Sequence, residues 1–140
     1  ERGGRTTGGG LLDDIPDSLP SLMRASRIGE RTAKVDFDWP SPRDVLKKVE
    51  EELTELREAI NADEQDHVDE ELGDLLFTLA NLARKLNLDP ESSLRSANQK
   101  FKRRFQLLEK NLSEQGRSLR EATTDELEQE WRAVKLTPRS

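Results

Sequence analysis

At 140 residues the chain has the length of one domain, large enough to bury a core and short for two. Only 32% of its residues are hydrophobic and 37% are charged, with no Tyr, a balance that suits helices with solvated faces and argues against a sandwich or barrel. A formal net charge of −6 argues against a general nucleic-acid coat, so no direct nucleic-acid binding is expected.

The absence of Cys excludes disulfide frameworks, thiolate catalysis and cysteine-type zinc sites, and leaves the cytoplasm as the expected compartment. No stretch approaches the roughly 18 apolar residues of a membrane span, so no membrane association is expected. A core this lean gains apolar surface by self-association.

Five of the eight glycines fall between Glu1 and Gly10, and residues 1–17 read as a flexible Gly-rich linker outside the fold. The chain opens on this segment without Met, which leaves the expectation of a fragment whose upstream part has been removed. Residues 18–137 are expected to form the folded domain and 138–140 a tail. A first helix follows Ser18 and Pro20, carries Leu22, Met23, Ile28 and Val35, and stops before Trp39-Pro40. Ser41-Pro42 offers a capping residue and a first-turn proline for a second helix reaching about Ala62, with Val45, Leu46, Val49, Leu53, Leu56 and Ile60 at helical spacing. The third spans about Asp66 to Asn87 on Val68, Leu72, Leu75, Leu76, Leu79, Leu82 and Leu86. Asp89-Pro90 caps a fourth that carries Leu94, Ala97, Phe101, Phe105, Leu108 and Leu112 and stops at Gly116. A fifth starts at Thr123 or Thr124, where Thr123 and Glu126 have capping-box spacing, and carries Leu127, Trp131 and Val134. The expected fold is all-α, a bundle of four to five helices, with no strand pattern and no internal repeat.

Charge is segregated along this bundle. Between Glu50 and Asp74 there are twelve acids against the single base Arg57, whereas between Arg84 and Arg104 seven bases face Asp89 and Glu91. Two solvated faces that attract each other would explain this; so would a cation site beside an anion site, as a metal-bound phosphate substrate requires. On a wheel of about 100° per residue with Val49 at zero, Glu52 lies near −60° and Glu55 near −120°. With Leu72 at zero, Glu71 lies near −100° and Asp74 near −160°. In both helices an acid pair three residues apart flanks the apolar stripe on the same side, and like charges at that spacing repel. Oxygen-rich clusters suit the hard cations magnesium and manganese.

The residues Glu51-Glu52-x-x-Glu55, followed by Glu71-x-x-Asp74 within Asp69-Glu70-Glu71-Leu72-Gly73-Asp74-Leu75-Leu76-Phe77, resemble the signature of the MazG family of all-α nucleoside triphosphate pyrophosphohydrolases. The stretches Leu19 to Ala25, Phe37-Asp38-Trp39, Asn81-Leu82-Ala83-Arg84, Asn98 to Phe105 and the late Trp131 are also similar to the catalytic C-terminal domain of the two-domain members. The resemblance covers nearly all of Leu19 to Lys135.

It implies a magnesium-dependent enzyme that hydrolyses nucleoside triphosphates to monophosphate and pyrophosphate, assembled as a homodimer, with manganese as a substitute ion. Glu52, Glu55, Glu71 and Asp74 are the implied metal ligands. Lys48, Val49, Glu50, Glu51 and Glu52 are implied to line the nucleotide site, together with His67, Val68, Asp69, Glu70 and Asp74. The same holds for Lys100, Phe101, Lys102, Arg103, Arg104 and Trp131. The family pattern carries Lys at the position of His67, which implies a weaker phosphate contact there. Lys100, Arg103 and Arg104 are expected to neutralise the leaving group, and either Glu51 or Glu55 to orient the water.

Plainer readings stand beside these. Lys48 and Glu52 have the spacing of a surface salt bridge, and Trp131 at helical spacing from Leu127 and Val134 suits a core. Glu64-x-x-His67 is half of a di-iron helical motif whose second histidine is lacking. A non-catalytic dimerisation module that binds a partner or regulatory ion is the alternative function.

Overall fold

The computed structural model describes residues 9–138, which contain five α-helices and, among the described residues, no strand. The helices are α1 (Ser21–Ala33), α2 (Pro42–Asn61), α3 (Gln65–Lys85), α4 (Pro90–Glu114) and α5 (Thr124–Lys135). The all-α expectation holds, and local sequence explains most boundaries. Ser41 caps α2 by accepting the Asp44 backbone N–H at 3.3 Å, with Pro42 in the first turn, where a missing N–H costs nothing. Asp89 accepts the Glu91 backbone N–H at 3.1 Å at the start of α4. Thr123 and Glu126 form the expected capping box of α5, and Gly116 follows α4 with φ of 71°.

The first helix is shorter than its apolar spacing predicts. The backbone N–H groups of Val35, Asp36 and Phe37 turn back onto the Thr32 and Ala33 carbonyls while Asp36 takes a left-handed φ of 64°. Val35, expected inside the helix, therefore lies beyond its end and is 59% exposed.

Part of the expected linker is tied down. Ile15 is buried, Arg31 donates to the Leu11 carbonyl and pairs with Asp14, and Arg24 pairs with Asp17 at 2.8 Å. Glycine density, the basis for the linker expectation, ends at Gly10; of that tract, residues 3–8 lie outside the described residues.

The chain divides into two compact units, with the boundary between Ser93 and Leu94 inside α4. In the first, α3 packs against both α1 and α2. The α1–α3 approach is close: a Cβ at Gly29 would stand 1.8 Å from Asn81 Oδ1, so only glycine fits. In the second, Leu108, Leu112 and Val134 form the core between α4 and α5, with Leu119, Leu127 and Trp131 packed on it.

The apolar stripes of α2 and α3 are only half covered in this chain. Val45, Val49, Glu52 and Ala59 are buried on α2, while Leu46, Leu53 and Ile60 are exposed. On α3, Glu71, Leu75, Thr78, Ala80 and Asn81 are buried, while Leu72, Leu76 and Leu79 are exposed. The packed faces are thus turned toward the acids, so Glu52 and Glu71 lie within the contact and not on its flank.

Candidate functional site

Glu52 and Glu55 sit one turn apart on α2, and Glu71 projects from α3; the three offer carboxylate oxygens within 4.8 Å of one another. Glu52 is 5% exposed and Glu71 6%, which is rare for carboxylates. One oxygen of each, Oε2, is buried without a hydrogen-bond partner. Leaving such an acceptor unsatisfied costs about 1–3 kcal/mol, more when it is charged. Their neighbours supply little relief. Lys48 Nζ stands 3.4 Å from Glu52 Oε1, so the salt-bridge reading of that spacing holds. The charge of Glu52, with those of Glu51 and Glu55, holds the lysine above its ordinary pKa.

Burial pushes the Glu71 carboxyl above the ordinary glutamate range; Glu55 beside it and Glu52 push the same way, and only His67 opposes them. Oxygen donors, clustered, buried and unpartnered, are the donor set a hard divalent cation takes, and these three residues fit one. A cleft of 350 Å³ opens beside them, lined by Glu55, Glu58, Glu64, His67 and Glu71 with Ala59 and Ala62. Glu64 entered the sequence analysis only with His67, as half of a di-iron motif, and Glu58 had no metal role there; their spacing of three and nine residues from Glu55 was the available signal.

The other expected residues are distributed as follows. Asp74 is exposed, one turn beyond Glu71, and outside the 4.8 Å group. Val49 is core, Val68 half-buried, and Glu50, Glu51, Asp69 and Glu70 are exposed. His67 stands over the site, 3.7 Å from Glu70 and 3.6 Å from Glu71. Lys100, Phe101, Lys102, Arg103, Arg104 and Trp131 belong to the second unit. There Phe101 stacks on Phe105 at 6.2 Å and meets Trp131 at 5.1 Å, so the helical spacing of Trp131 does mark packing. These rings also border a cavity of 370 Å³ with Leu108, Leu119 and Leu127, and with Thr124 and Glu128.

One ionic network carried no role in the sequence reading. Asp38 accepts from Arg84 at 2.6 and 3.2 Å and from Lys85 at 2.9 Å, while Arg84 Nε donates to Asn81 at 2.8 Å. Arg84, against the cost of burial and helped by Lys85 and the Trp39 N–H, holds Asp38 far below the usual aspartate range. Asn81, fully buried, donates in turn to the Phe77 carbonyl at 3.1 Å and the Ala25 carbonyl at 3.4 Å. Asp38 and Asn81 of this network line a cavity of 490 Å³ together with Ile28, Phe37, Trp39 and Phe77. An asparagine and an arginine among the leucines of one helix were the signal for it.

Residues 40–107, which contain all the clustered acids, match the MazG nucleotide pyrophosphohydrolase domain. The chain is 43% identical over 124 residues to the nucleoside triphosphate pyrophosphohydrolase/pyrophosphatase MazG of Thermotoga maritima. It is also 43% identical over 128 residues to the nucleoside triphosphate pyrophosphohydrolase of Escherichia coli K12. Both matches take in 89% of this chain and 48% of the relative, so the chain spans about half the length of these proteins. A third relative, the uncharacterised protein YabN of Bacillus subtilis, is 36% identical over 96% of this chain and 28% of its own length. The chain thus carries, at residues 40–107, a match to the MazG nucleotide pyrophosphohydrolase domain, and is similar to these two relatives over 89% of its length.

Proposed function

We propose that this chain hydrolyses nucleoside triphosphates at the bond between the α- and β-phosphates, with magnesium held by Glu52, Glu55, Glu71 and Asp74. The observation that carries the proposal is the pair of buried, unpartnered carboxylate oxygens on Glu52 and Glu71, beside Glu55. The Thermotoga and Escherichia relatives, both nucleoside triphosphate pyrophosphohydrolases, support the same chemistry. These acids would hold magnesium, or manganese as its substitute, which would supply charge neutralisation and the activation of a water.

In this reading water adds to the α-phosphorus, the α–β anhydride bond breaks, and pyrophosphate departs with the bonding electrons. Glu51 or Glu55 orients the water; the position of Glu55 in the cleft favours it. Lys100, Arg103 and Arg104 on α4 neutralise the leaving group, an effect worth roughly 3 kcal/mol in comparable sites. Residues 48–52, 67–70, Asp74, 100–104 and Trp131 line the nucleotide.

The catalytic domain would comprise residues 18–137, acting as a homodimer. The exposed leucines of α2 and α3 support that assembly, since adjacent apolar side chains on helices tend to be covered. A nucleotide substrate makes the cytoplasm the fitting compartment; no described helix is long and apolar enough to cross a membrane.

The test is product identification on a panel of nucleoside triphosphates, with and without chelator. Magnesium-dependent release of pyrophosphate and monophosphate in equal amounts is expected. Release of inorganic phosphate instead, or full turnover in excess chelator, would overturn the proposal.

A further inference from the structure

The chain has four Phe, two Trp and no Tyr, and three of these six aromatic side chains, Phe37, Trp39 and Phe77, line one cavity of 490 Å³. Its other lining comes from α1, from α3 and from the segment that joins α1 to α2. The volume lies within the range of roughly 300–1,000 Å³ that small-molecule sites occupy. Among the described residues none of the three rings stacks on another ring, whereas Phe101 lies against both Phe105 and Trp131. Phe37 is 75% exposed, yet its backbone is held: its N–H donates to the Thr32 carbonyl at 3.0 Å, and Asp36 before it takes a left-handed φ. A fixed turn thus presents an uncovered ring to the cavity.

The polar lining selects against a charged occupant. Asp38 is already engaged by Arg84 and Lys85, and Asn81 by Arg84 and two backbone carbonyls. No Lys or Arg lines the cavity and Asp36 does, so a phosphate would be repelled there. A flat, uncharged ring gains from the open aromatic faces and needs no counter-ion. Position adds a second condition. Asp74, one of the proposed magnesium ligands, is followed on α3 by Phe77 and Asn81 at spacings of three and four, and at about 100° per residue the three fall within about 60° of one flank. Along the axis Phe77 and Asn81 lie about 5 and about 11 Å beyond Asp74. A ribose and its base span that distance from an α-phosphate at the acids.

We propose that this cavity receives the nucleobase of the substrate, stacked against Phe37, Trp39 and Phe77, with the triphosphate at the acid cluster. The inference rests on the proposed hydrolysis of nucleoside triphosphates and assigns the residues that hold the base. Trp131, packed on Phe101 in the second unit, is the rival position.

The first measurement is photolabelling of the full chain with an adenosine triphosphate that carries an azide on its base, followed by tryptic mapping. Label is expected in residues 35–43, the peptide that holds Phe37 and Trp39; label confined to residues 121–132, which hold Trp131, overturns the assignment. The second compares kcat/KM for a nucleoside triphosphate with that for a ribose triphosphate lacking a base. Phe37→Ala, at an exposed position, should cut the preference for the nucleotide at least about tenfold, the size of one lost base–aromatic stack. An unchanged preference, whether both activities hold or both fall together, overturns the base pocket, while pyrophosphate release by the parent leaves the hydrolase reading standing. A parent chain that releases no pyrophosphate from any nucleoside triphosphate with magnesium overturns that reading, and this inference falls with it.

Discussion

Glu52 on α2 and Glu71 on α3 each bury one carboxylate oxygen with no hydrogen-bond partner, and the two side chains approach within 4.8 Å. The contact that joins the helices thus contains a repulsion that lasts until something neutralises it. Replacing Glu71 by Gln keeps the shape and removes the charge. Metal-free Glu71→Gln should melt at the same temperature as the parent or higher, lose the magnesium-dependent rise in melting temperature, and turn over at least a hundredfold more slowly. That loss corresponds to about 3 kcal/mol of transition-state stabilisation. Glu109→Gln, exposed on α4, is the control. Glu58 would be a poor one, because it lines the cleft beside Glu55. If Glu71→Gln and the control behave alike, the acids are only a solvated face.

The raised pKa of Glu71 makes the metal-free protein sensitive to pH in a defined direction. A carboxyl held above its unfolded value binds its proton more tightly when folded, so its contribution favours folding below about pH 4.3. The contribution is lost as pH rises through the folded value. Melting of chelator-treated protein should therefore shift downward across that window, and the shift should be smaller in Glu71→Gln. Equal profiles for the two proteins would contradict the assignment.

Asp38 has the opposite sign. Its pKa is depressed by Arg84 first, so its stabilisation is present above about pH 3.9 and lost as pH falls through the folded value. Asp38→Asn leaves two largely buried cations, Arg84 and Lys85, without their carboxylate. Denaturant titration at neutral pH should show a loss of about 3 kcal/mol. A change below about 0.5 kcal/mol, the range of ordinary surface substitutions, would mean that the network is not a stabilising element.

Gly29→Ala tests the close approach of α1 to α3. Alanine gains about 1 kcal/mol of helix propensity. The added Cβ, however, would stand 1.8 Å from Asn81 Oδ1 and 2.5 Å from Arg84 Nε, inside a network with no slack. Net destabilisation of about 2 kcal/mol is expected, read as a lower melting temperature with the helical circular dichroism intact. A stabilised variant would show that α1 and α3 can move apart.

The proposed homodimer is tested at Leu53, exposed on α2 between the equally exposed Leu46 and Ile60. In an isolated chain Leu53→Asp should cost within about 0.5 kcal/mol. Across a covered interface it should raise the dissociation constant at least thirtyfold, or about 2 kcal/mol. Sedimentation over a concentration series separates the two, and a parent chain that is monomeric at micromolar concentration would exclude the dimer.

Much of this molecule was legible in the sequence because its signals are local. Ser41-Pro42, the Thr123–Glu126 capping box and Gly116 mark helix ends through interactions within one turn, and all three stand where that chemistry puts them. The spacing of Glu52 and Glu55, and of Glu71 and Asp74, follows from the helical repeat and needs no partner. Val35 was misplaced because the turn at Asp36 overrides an apolar residue at the right spacing.

Tertiary structure decided which face of each helix is packed. Helical periodicity marks the apolar stripe, but an apolar residue is equally at home in a core or in an uncovered interface, so periodicity does not separate Val49 from Leu53 or Leu75 from Leu72. Packing α3 between α1 and α2 turned the contact toward the acids, buried Glu52 and Glu71, and drew in Glu55 but not Asp74. The same packing placed Asp38 against Arg84, 46 residues away, and Asn81 against Ala25, 56 residues away. Residue type and spacing by themselves determined which groups could carry charge and chemistry; their burial and pairing depend on distances across the chain, which only the packed helices define.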